Sequence, residues 1–250
     1  MVALQNIGFQ EGEFLVKTLR QPVELEEAYR LRHKVFSQNL KWVPSSEDEL
    51  EMDSYDSLAT SIGLLSGSGR LLGMFRILST LGPFMLEKEF RSVLRPGCSL
   101  RKERDTVEIT RLTVDPSMTD KGLSSRLMLV LFKGVYQWSI GNNIRYLYMV
   151  IEKRFLRVLR AIGFPCEPIS PPQSLPPAGA LSLAAILDWE QFRSESAGKR
   201  PEFLDWMESL GKLNPVGEDT LPSRIAGVSE LKPEMGIEEA MNTTSELVRV

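Results

Sequence analysis

The stretch from residue 106 to residue 163 alternates between strand-like and helix-like patterns, and this alternation constrains the fold more than any other feature. A strand is predicted for TVEITRLTV, a long core helix for KGLSSRLMLVLFKGVYQWSIG and a second strand for NIRYLYMVI. The segment EKRFLRVLRAIGF then predicts a short helix that ends at Gly163, because glycine commonly follows a helix. Helices and strands in alternation favour a layered α/β fold.

Two further patterns precede this stretch. A helix is predicted for VELEEAYRLRHKVFSQNL, starting just after Pro22, because its apolar residues recur at helical spacing. A hairpin is predicted over residues 59–79, where a Ser-Gly pair separates the apolar runs TSIGLLSG and RLLGMFRILS. Arg76 lies inside the second run, and a charge there is costly unless it is paired. We therefore expect Asp53, Asp56 or Glu108 close to Arg76.

Charged and aromatic residues follow one another in an order that a hydrophobic core does not require. Arg32 and Phe36 are four residues apart, so their side chains share one helix surface. Trp42, Asp53 and Asp56 follow in a polar, Pro-containing segment that predicts a loop. A single Arg on such a helix is usually solvated, but the co-occurrence of all five residues favours a functional site.

The predicted strand over residues 106–114 carries three more polar side chains near its middle. Alternation places Glu108 and Thr110 on one face of the strand. Arg111 falls on the opposite face unless a β-bulge re-aims it.

Together these residues resemble the acyl-homoserine-lactone synthases, the autoinducer synthases of bacterial quorum sensing, from about residue 23 to about residue 164. The shared pattern is R-x-x-x-F, a Trp six residues later, D-S-Y-D, F-R in a strand, and E-x-x-R-x-x-V. The matching residues are Arg32, Phe36, Trp42, Asp53, Asp56, Arg76, Glu108 and Arg111, with Phe90 as a further pocket aromatic and Phe84 as its alternative. The resemblance implies a fold related to the GNAT acyltransferases, an α/β fold whose mixed, splayed central sheet carries helices on both faces.

The resemblance also implies a reaction. The amine of S-adenosylmethionine attacks an acyl thioester, and its carboxylate then displaces the sulfonium group, releasing 5′-methylthioadenosine. S-adenosylmethionine is a substrate here, and no bound cofactor is expected. Rival interpretations are a GNAT-type N-acyltransferase that acts on another amine and a noncatalytic relative that binds an acyl group or a lactone.

A ligand with an ammonium, a carboxylate and a sulfonium group requires both signs of charge around it. Glu108 is expected to deprotonate the amine, directly or through a water, because the attacking amine must be neutral. Asp53 and Asp56 would position cationic groups or brace the arginines, and Phe36 and Trp42 would pack against the ligand. Three guanidinium groups, which suit bidentate contacts, would hold the substrate carboxylate and lock the polar loop in place: Arg32, Arg76 and Arg111.

The acyl donor is left open between acyl carrier protein and acyl-CoA. The turn that binds the pyrophosphate of coenzyme A is rich in glycine, whereas the segment DPSMTDKGLSSRL has one glycine. This difference favours the carrier protein as the donor. An acidic carrier protein suits a basic face, although a solvated face explains the same residues equally well: Lys153, Arg154, Arg157 and Arg160, with Arg126 and Lys133 on the preceding helix.

Met149 is expected in the wall that selects the acyl chain. A thioether cannot donate a hydrogen bond to a 3-oxo group, which favours unsubstituted chains. Two alternatives stay open: Thr110 supplies a hydroxyl nearby, or Met149 only fills the core.

The remaining composition predicts a soluble intracellular enzyme, and the resemblance implies that its location is the bacterial cytoplasm. The 250 residues contain no run apolar enough to span a bilayer and no signal peptide, so no integral membrane contact is expected. The two cysteines are expected to be free thiols, and the single His33 a solvated residue, so no metal site is expected. No nucleic-acid partner is indicated. One domain is predicted over residues 1–212, followed by a polar, flexible tail over 213–250.

Overall fold

A nine-stranded mixed sheet runs through residues 4–210, the part of the chain that this computed structural model describes. Its spatial order is β1-β2-β3-β4-β5-β6-β9-β7, and β8 also pairs with β9. Every neighbouring pair is antiparallel except β5–β6, which is parallel. The strands are β1 (Gly8–Glu11), β2 (Phe14–Thr18), β3 (Ala59–Leu65), β4 (Leu71–Ser79), β5 (Thr106–Val114), β6 (Tyr146–Glu152), β7 (Glu167–Pro168), β8 (Gln173–Leu175) and β9 (Ala180–Asp188).

Five α-helices accompany the sheet in this part of the chain, and the predicted helices, strands and hairpin are confirmed. The helices are α1 (Pro22–Arg32), α2 (Lys121–Gly141), α3 (Lys153–Ile162), α4 (Trp189–Lys199) and α5 (Pro201–Glu208). As predicted, α3 is followed by Gly163, whose φ of 121° suits a residue without a side chain.

The first predicted helix continues beyond α1 in a different form. Residues His33–Asn39 make a π-helix, a wider turn with i→i+5 hydrogen bonds that often occurs at functional sites. The backbone N–H of Leu40 donates to the carbonyl of Val35, and that of Trp42 donates to Phe36. The helix therefore ends in a turn that brings Trp42 back beside Phe36.

Helices cover both faces of the sheet, as the α/β prediction required. Met74 of β4 packs with Ala28 and Leu31 of α1, whereas its neighbour Phe75 packs with the α2 side of the core, which includes Leu131. Successive residues of a strand point to opposite faces, so one apolar strand serves both layers. None of the helices formed by the described residues combines the length and hydropathy needed to cross a bilayer.

The sheet splays open between its two central strands. β5 and β6 pair only at Thr106–Glu108 with Tyr146–Tyr148. Beyond this point β5 continues to pair with β4, and β6 with β9. The gap between the separating strands is where the candidate site lies.

Two further predictions have different outcomes. Cys98 and Cys166 are free thiols, as expected. The predicted tail over residues 213–250 lies outside the described residues, and the proposed domain boundary stays a prediction.

Substitution of Gly73 on β4 tests how closely α2 packs on the sheet. A Cβ atom there would lie 2.8 Å from the carbonyl oxygen of Thr113 and 2.9 Å from Cδ1 of Leu131. We expect Gly73→Ala to lower the free energy of unfolding by about 2 kcal/mol, measured by urea denaturation. The matched variant Gly8→Ala, which meets no atom within 4 Å, should change it by less than about 0.5 kcal/mol. Equal stability of both variants would show that α2 and β4 relax freely.

Candidate active site

Two cavities meet where β5 and β6 separate. The smaller, here called the apolar cavity, has a volume of about 190 Å³ and lies between the splayed strands, α2 and α3. The larger, here called the polar cavity, has a volume of about 640 Å³ and lies under the loop that follows the π-helix. Six residues line both cavities: Phe36, Trp42, Arg111, Val150, Ile151 and Glu152. The two spaces therefore share one wall.

Arg32 anchors the loop above the polar cavity. Its guanidinium group has no exposed surface. Nε donates to Glu51, and Nη1 donates to Oδ1 of Asp56 at 2.6 Å. Two carboxylates thus neutralise a cation that would otherwise be costly to bury.

Arg76 is equally buried and confirms that an acidic partner lies nearby. Its Nη1 lies 2.6 Å from Oδ1 of Asp53 and 2.8 Å from Oδ1 of Asp56. Nε donates to Thr110 Oγ1 at 2.9 Å. Of the three carboxylates expected near Arg76, Asp53 and Asp56 make this contact, and Glu108 makes no ion pair with Arg76.

Arg111 reaches the same network because β5 contains a bulge. Met74 pairs with Thr113 and Arg76 with Thr110, so two residues of β5 lie opposite one residue of β4. Arg111 has a φ of 55°, a conformation that non-glycine residues rarely adopt. Strict alternation would have turned Arg111 away from this face of the strand, and the bulge brings it to the shared wall instead.

The partner of Arg111 is Glu51, a residue that the sequence patterns did not single out. Arg111 Nη2 lies 2.7 Å from Oε1 of Glu51 and 3.3 Å from Oδ2 of Asp53. Glu51 also accepts from Arg32 and is only 6% exposed. Burial alone would raise the pKa of Glu51, but the hydrogen bonds from Arg111 and Arg32 lower it to about 2. In the acidic run EDELEMD nothing local distinguishes Glu51 from Glu47 or Glu49.

Glu108 lies buried behind the cavity walls. It is fully buried, and its two oxygens accept the backbone N–H groups of Met85 and Leu86 at 2.6 and 3.1 Å. Burial raises the pKa of Glu108 to about 8, although these two hydrogen bonds lower it. Glu108 lines neither cavity, so its role as a base stays a prediction.

Aromatic side chains surround the polar cavity. The rings of Phe36 and Trp42 lie 6.0 Å apart, and the guanidinium carbon of Arg111 lies 5.3 Å from the centre of the Phe36 ring. Phe90 lines the cavity, whereas the alternative, Phe84, is fully buried beneath it. Among the two aromatics considered, only Phe90 can therefore contact a ligand there without a rearrangement.

The apolar cavity contains the residues expected to select an acyl chain. Met149 and Thr110 both line it, together with Met128 and Phe132 of α2. The Thr110 hydroxyl already accepts a hydrogen bond from Arg76. The wall between α2 and β6 is mainly apolar, and its role in selecting the acyl chain stays a prediction.

Two expectations about polar residues outside the site are wrong. Lys133, counted with the basic face, is 1% exposed, and its Nζ lies 2.5 Å from Glu11 because α2 presents it to β1. His33, expected to be solvated, is 3% exposed, with Nε2 2.9 Å from Ser45 Oγ, because the loop folds back over the π-helix. Among the described residues no group of three or more His, Cys, Asp or Glu side chains is arranged to hold a metal ion.

The autoinducer synthase family model matches residues 16–195. The chain belongs to this family, the acyl-homoserine-lactone synthases, and is an acyltransferase. It is 33% identical over 155 residues to the acyl-homoserine-lactone synthase of Rhizobium radiobacter, a match that covers 60% of this chain and 73% of the relative. It is 31% identical over 180 residues to a probable synthase of Sinorhizobium fredii, covering 68% and 85%.

Solved structures agree with this assignment. The AHL synthase LasI is 25% identical, with a TM-score of 0.61 over 70% of this chain and 89% of LasI. The CoA-dependent acyl-homoserine lactone synthase BjaI, solved with SAM and isopentyl-CoA, is 25% identical, with a TM-score of 0.58 over 75% of this chain and 84% of BjaI. The α/β fold with its splayed sheet is therefore the fold of this family.

The low pKa of Glu51 predicts how stability depends on pH. Because the folded-state value of about 2 lies below the ordinary 4.5, Glu51 stabilises the fold above pH 4.5, and this contribution is lost as pH falls from 4.5 towards 2. We expect Glu51→Gln to lower the free energy of unfolding at pH 7 by about 3 kcal/mol and to flatten its acid dependence in that window. Urea denaturation between pH 2 and 7 measures both effects.

Glu47→Gln provides the matched control, since Glu47 is an exposed residue of the same loop. It should leave the pH dependence of the wild type intact. If Glu51→Gln retained the full acid dependence, Glu51 would not be the group whose titration destabilises the fold between pH 4.5 and 2.

Proposed function

We propose that this chain makes an N-acyl-homoserine lactone from S-adenosylmethionine and an acyl thioester, releasing 5′-methylthioadenosine. The observation that carries the proposal is the meeting of an apolar and a polar cavity at one wall. A two-substrate reaction between an alkyl chain and a charged nucleoside derivative requires such a pair of spaces. The similarity to BjaI, which was solved with SAM and isopentyl-CoA together, supports the same pairing of substrates.

S-adenosylmethionine is assigned to the polar cavity. Glu51, Asp53 and Arg111 supply both signs of charge at its wall, and Tyr55 and Phe90 supply aromatic surface. The side chains of the other two arginines are fully buried, so they act by fixing the aspartates rather than by contacting the ligand. Arg111 lines both cavities and is the guanidinium group assigned to the substrate carboxylate.

Glu108 is proposed to position the segment that carries Met85. Its carboxylate holds the backbone of residues 85 and 86, and Met85 in turn lines the polar cavity. Arg76 Nη2 lies 3.3 Å from Met85 Sδ, which links this segment to the ion network. Catalysis then depends on Glu108 because the position of Met85 shapes the polar cavity.

The acyl chain is assigned to the apolar cavity, and acyl carrier protein is favoured as its donor. The N-terminus of α2, where a coenzyme A pyrophosphate would bind, is capped by Asp120, whose Oδ1 accepts the N–H of Leu123 at 3.1 Å. A carboxylate at that helix terminus opposes phosphate binding. The exposed residues Lys153 and Arg157 of α3 offer an acidic carrier protein a docking face.

The function is tested by incubating the purified full chain with S-adenosylmethionine and acyl thioesters of carrier protein or of coenzyme A. Mass spectrometry should detect an acyl-homoserine lactone and an equal amount of 5′-methylthioadenosine. An N-acylated product without 5′-methylthioadenosine would instead indicate the N-acyltransferase interpretation. Neither product from folded protein with any acyl donor would overturn the proposal.

Met149 gives a second test, directed at the acyl chain. Replacement of its thioether by a hydroxyl adds a donor for a 3-oxo group. We expect Met149→Thr to raise the ratio of kcat/KM for 3-oxo over unsubstituted donors by about three- to tenfold. Met118→Thr, outside both cavities, should leave the ratio unchanged. An unchanged ratio in Met149→Thr would assign Met149 to core packing alone.

A further inference from the structure

The shared wall of the two cavities contains a carboxylate that the roles assigned so far do not use. Of the six residues that line both cavities, only Arg111 and Glu152 are charged. If the two substrates occupy the two cavities, the attacking amine and the thioester carbon meet at this wall. A group that binds the amine there must be able to face both spaces.

Glu152 has the accessibility that this task requires. It is the last residue of β6 and the N-cap of α3, where it makes no capping hydrogen bond with its side chain. Its side chain is 14% exposed. Arg154 Nε donates to Oε2, whereas Oε1 accepts no hydrogen bond from the described residues. One carboxylate oxygen is therefore available to a ligand.

The other carboxylates of the site are engaged elsewhere. Glu51 and Asp53 line only the polar cavity and are held by arginines. Glu89 lines only that cavity and accepts the hydroxyl of Tyr55. Glu108 lines neither cavity. Within the described residues, Glu152 is thus the carboxylate that borders both substrate spaces.

We propose that Glu152 binds the α-ammonium group of S-adenosylmethionine where the two cavities meet and accepts its proton as the amide forms. This inference rests on the function proposed above. The contact from Arg154 holds the Glu152 carboxylate at the N-terminus of α3, with Oε1 directed to neither Arg154 nor any other described donor.

Two protons leave the nitrogen as the amide forms. Glu152 takes one proton from the ammonium group, and the freed lone pair of the nitrogen forms a C–N bond with the thioester carbon. The C–S bond then breaks, and the thiolate leaves with the electron pair of that bond. The thiolate takes the second proton from the nitrogen to become a thiol, and Glu152 releases the first proton to solvent.

The test separates recognition of the charged amino-acid part of S-adenosylmethionine from recognition of its nucleoside part. Glu152→Gln keeps the size of the side chain and an oxygen that accepts from Arg154, but removes the charge. Calorimetric titration should show about tenfold weaker binding of S-adenosylmethionine and unchanged binding of 5′-methylthioadenosine, which has no α-amine. The pH profile of kcat for the variant should shift to higher pH, because turnover then depends on amine that is already neutral.

Two further variants control for damage to the fold. Glu152→Asp keeps the charge and should retain more activity than Glu152→Gln. Glu190→Gln, an exposed carboxylate on α4 that lines neither cavity, should behave as wild type in binding and turnover. Thermal denaturation of all variants verifies that they are folded.

Equal binding of S-adenosylmethionine by wild type and Glu152→Gln, with an unchanged pH profile, would overturn the role of Glu152 and leave the proposed function standing. Weakened binding of both ligands would assign Glu152 a structural role and overturn the inference as well. Absence of lactone and of 5′-methylthioadenosine from the wild type would overturn the proposed function and this role together.

Discussion

Two guanidinium groups without exposed surface hold the candidate active site together. Arg32 comes from α1 and Arg76 from β4, and both bind Asp56. Buried charges of this kind are stable only when every partner is present, and removing one partner typically costs several kcal/mol. The loop over residues 42–56 is therefore fixed by electrostatics that depend on a helix and a strand from different parts of the chain.

Two departures from regular backbone geometry make this network possible. The π-helix after α1 returns Trp42 to Phe36, and the bulge in β5 turns Arg111 towards Glu51. Irregular backbone of either kind has an energetic cost and is found preferentially at functional sites. Both irregularities here border the wall between the two cavities.

Much of this arrangement could be predicted from the sequence. The helices and strands have strong periodic patterns, and the burial of Arg76 within an apolar run required the acidic partners that the structure provides. Glu51 could not be singled out, because its importance comes from two arginines distant along the chain. Lys133 and His33 were misjudged for a related reason: each is buried by an element that local periodicity does not reveal, β1 for Lys133 and the returning loop for His33.

β5 and β6 pair along only a short part of their length. The rest of each strand therefore resembles an edge strand on the side that faces the other, although both lie at the centre of the sheet. Beyond Glu108 and Tyr148 each strand keeps a ladder with its outer neighbour and has none with the other. Unpaired backbone groups on an edge need hydrogen-bond partners and usually attract another extended chain. α2, α3 and the loop over residues 42–56 border that gap and leave no room for another strand. A slender, extended molecule that entered this gap would meet backbone groups to which no neighbouring strand is paired.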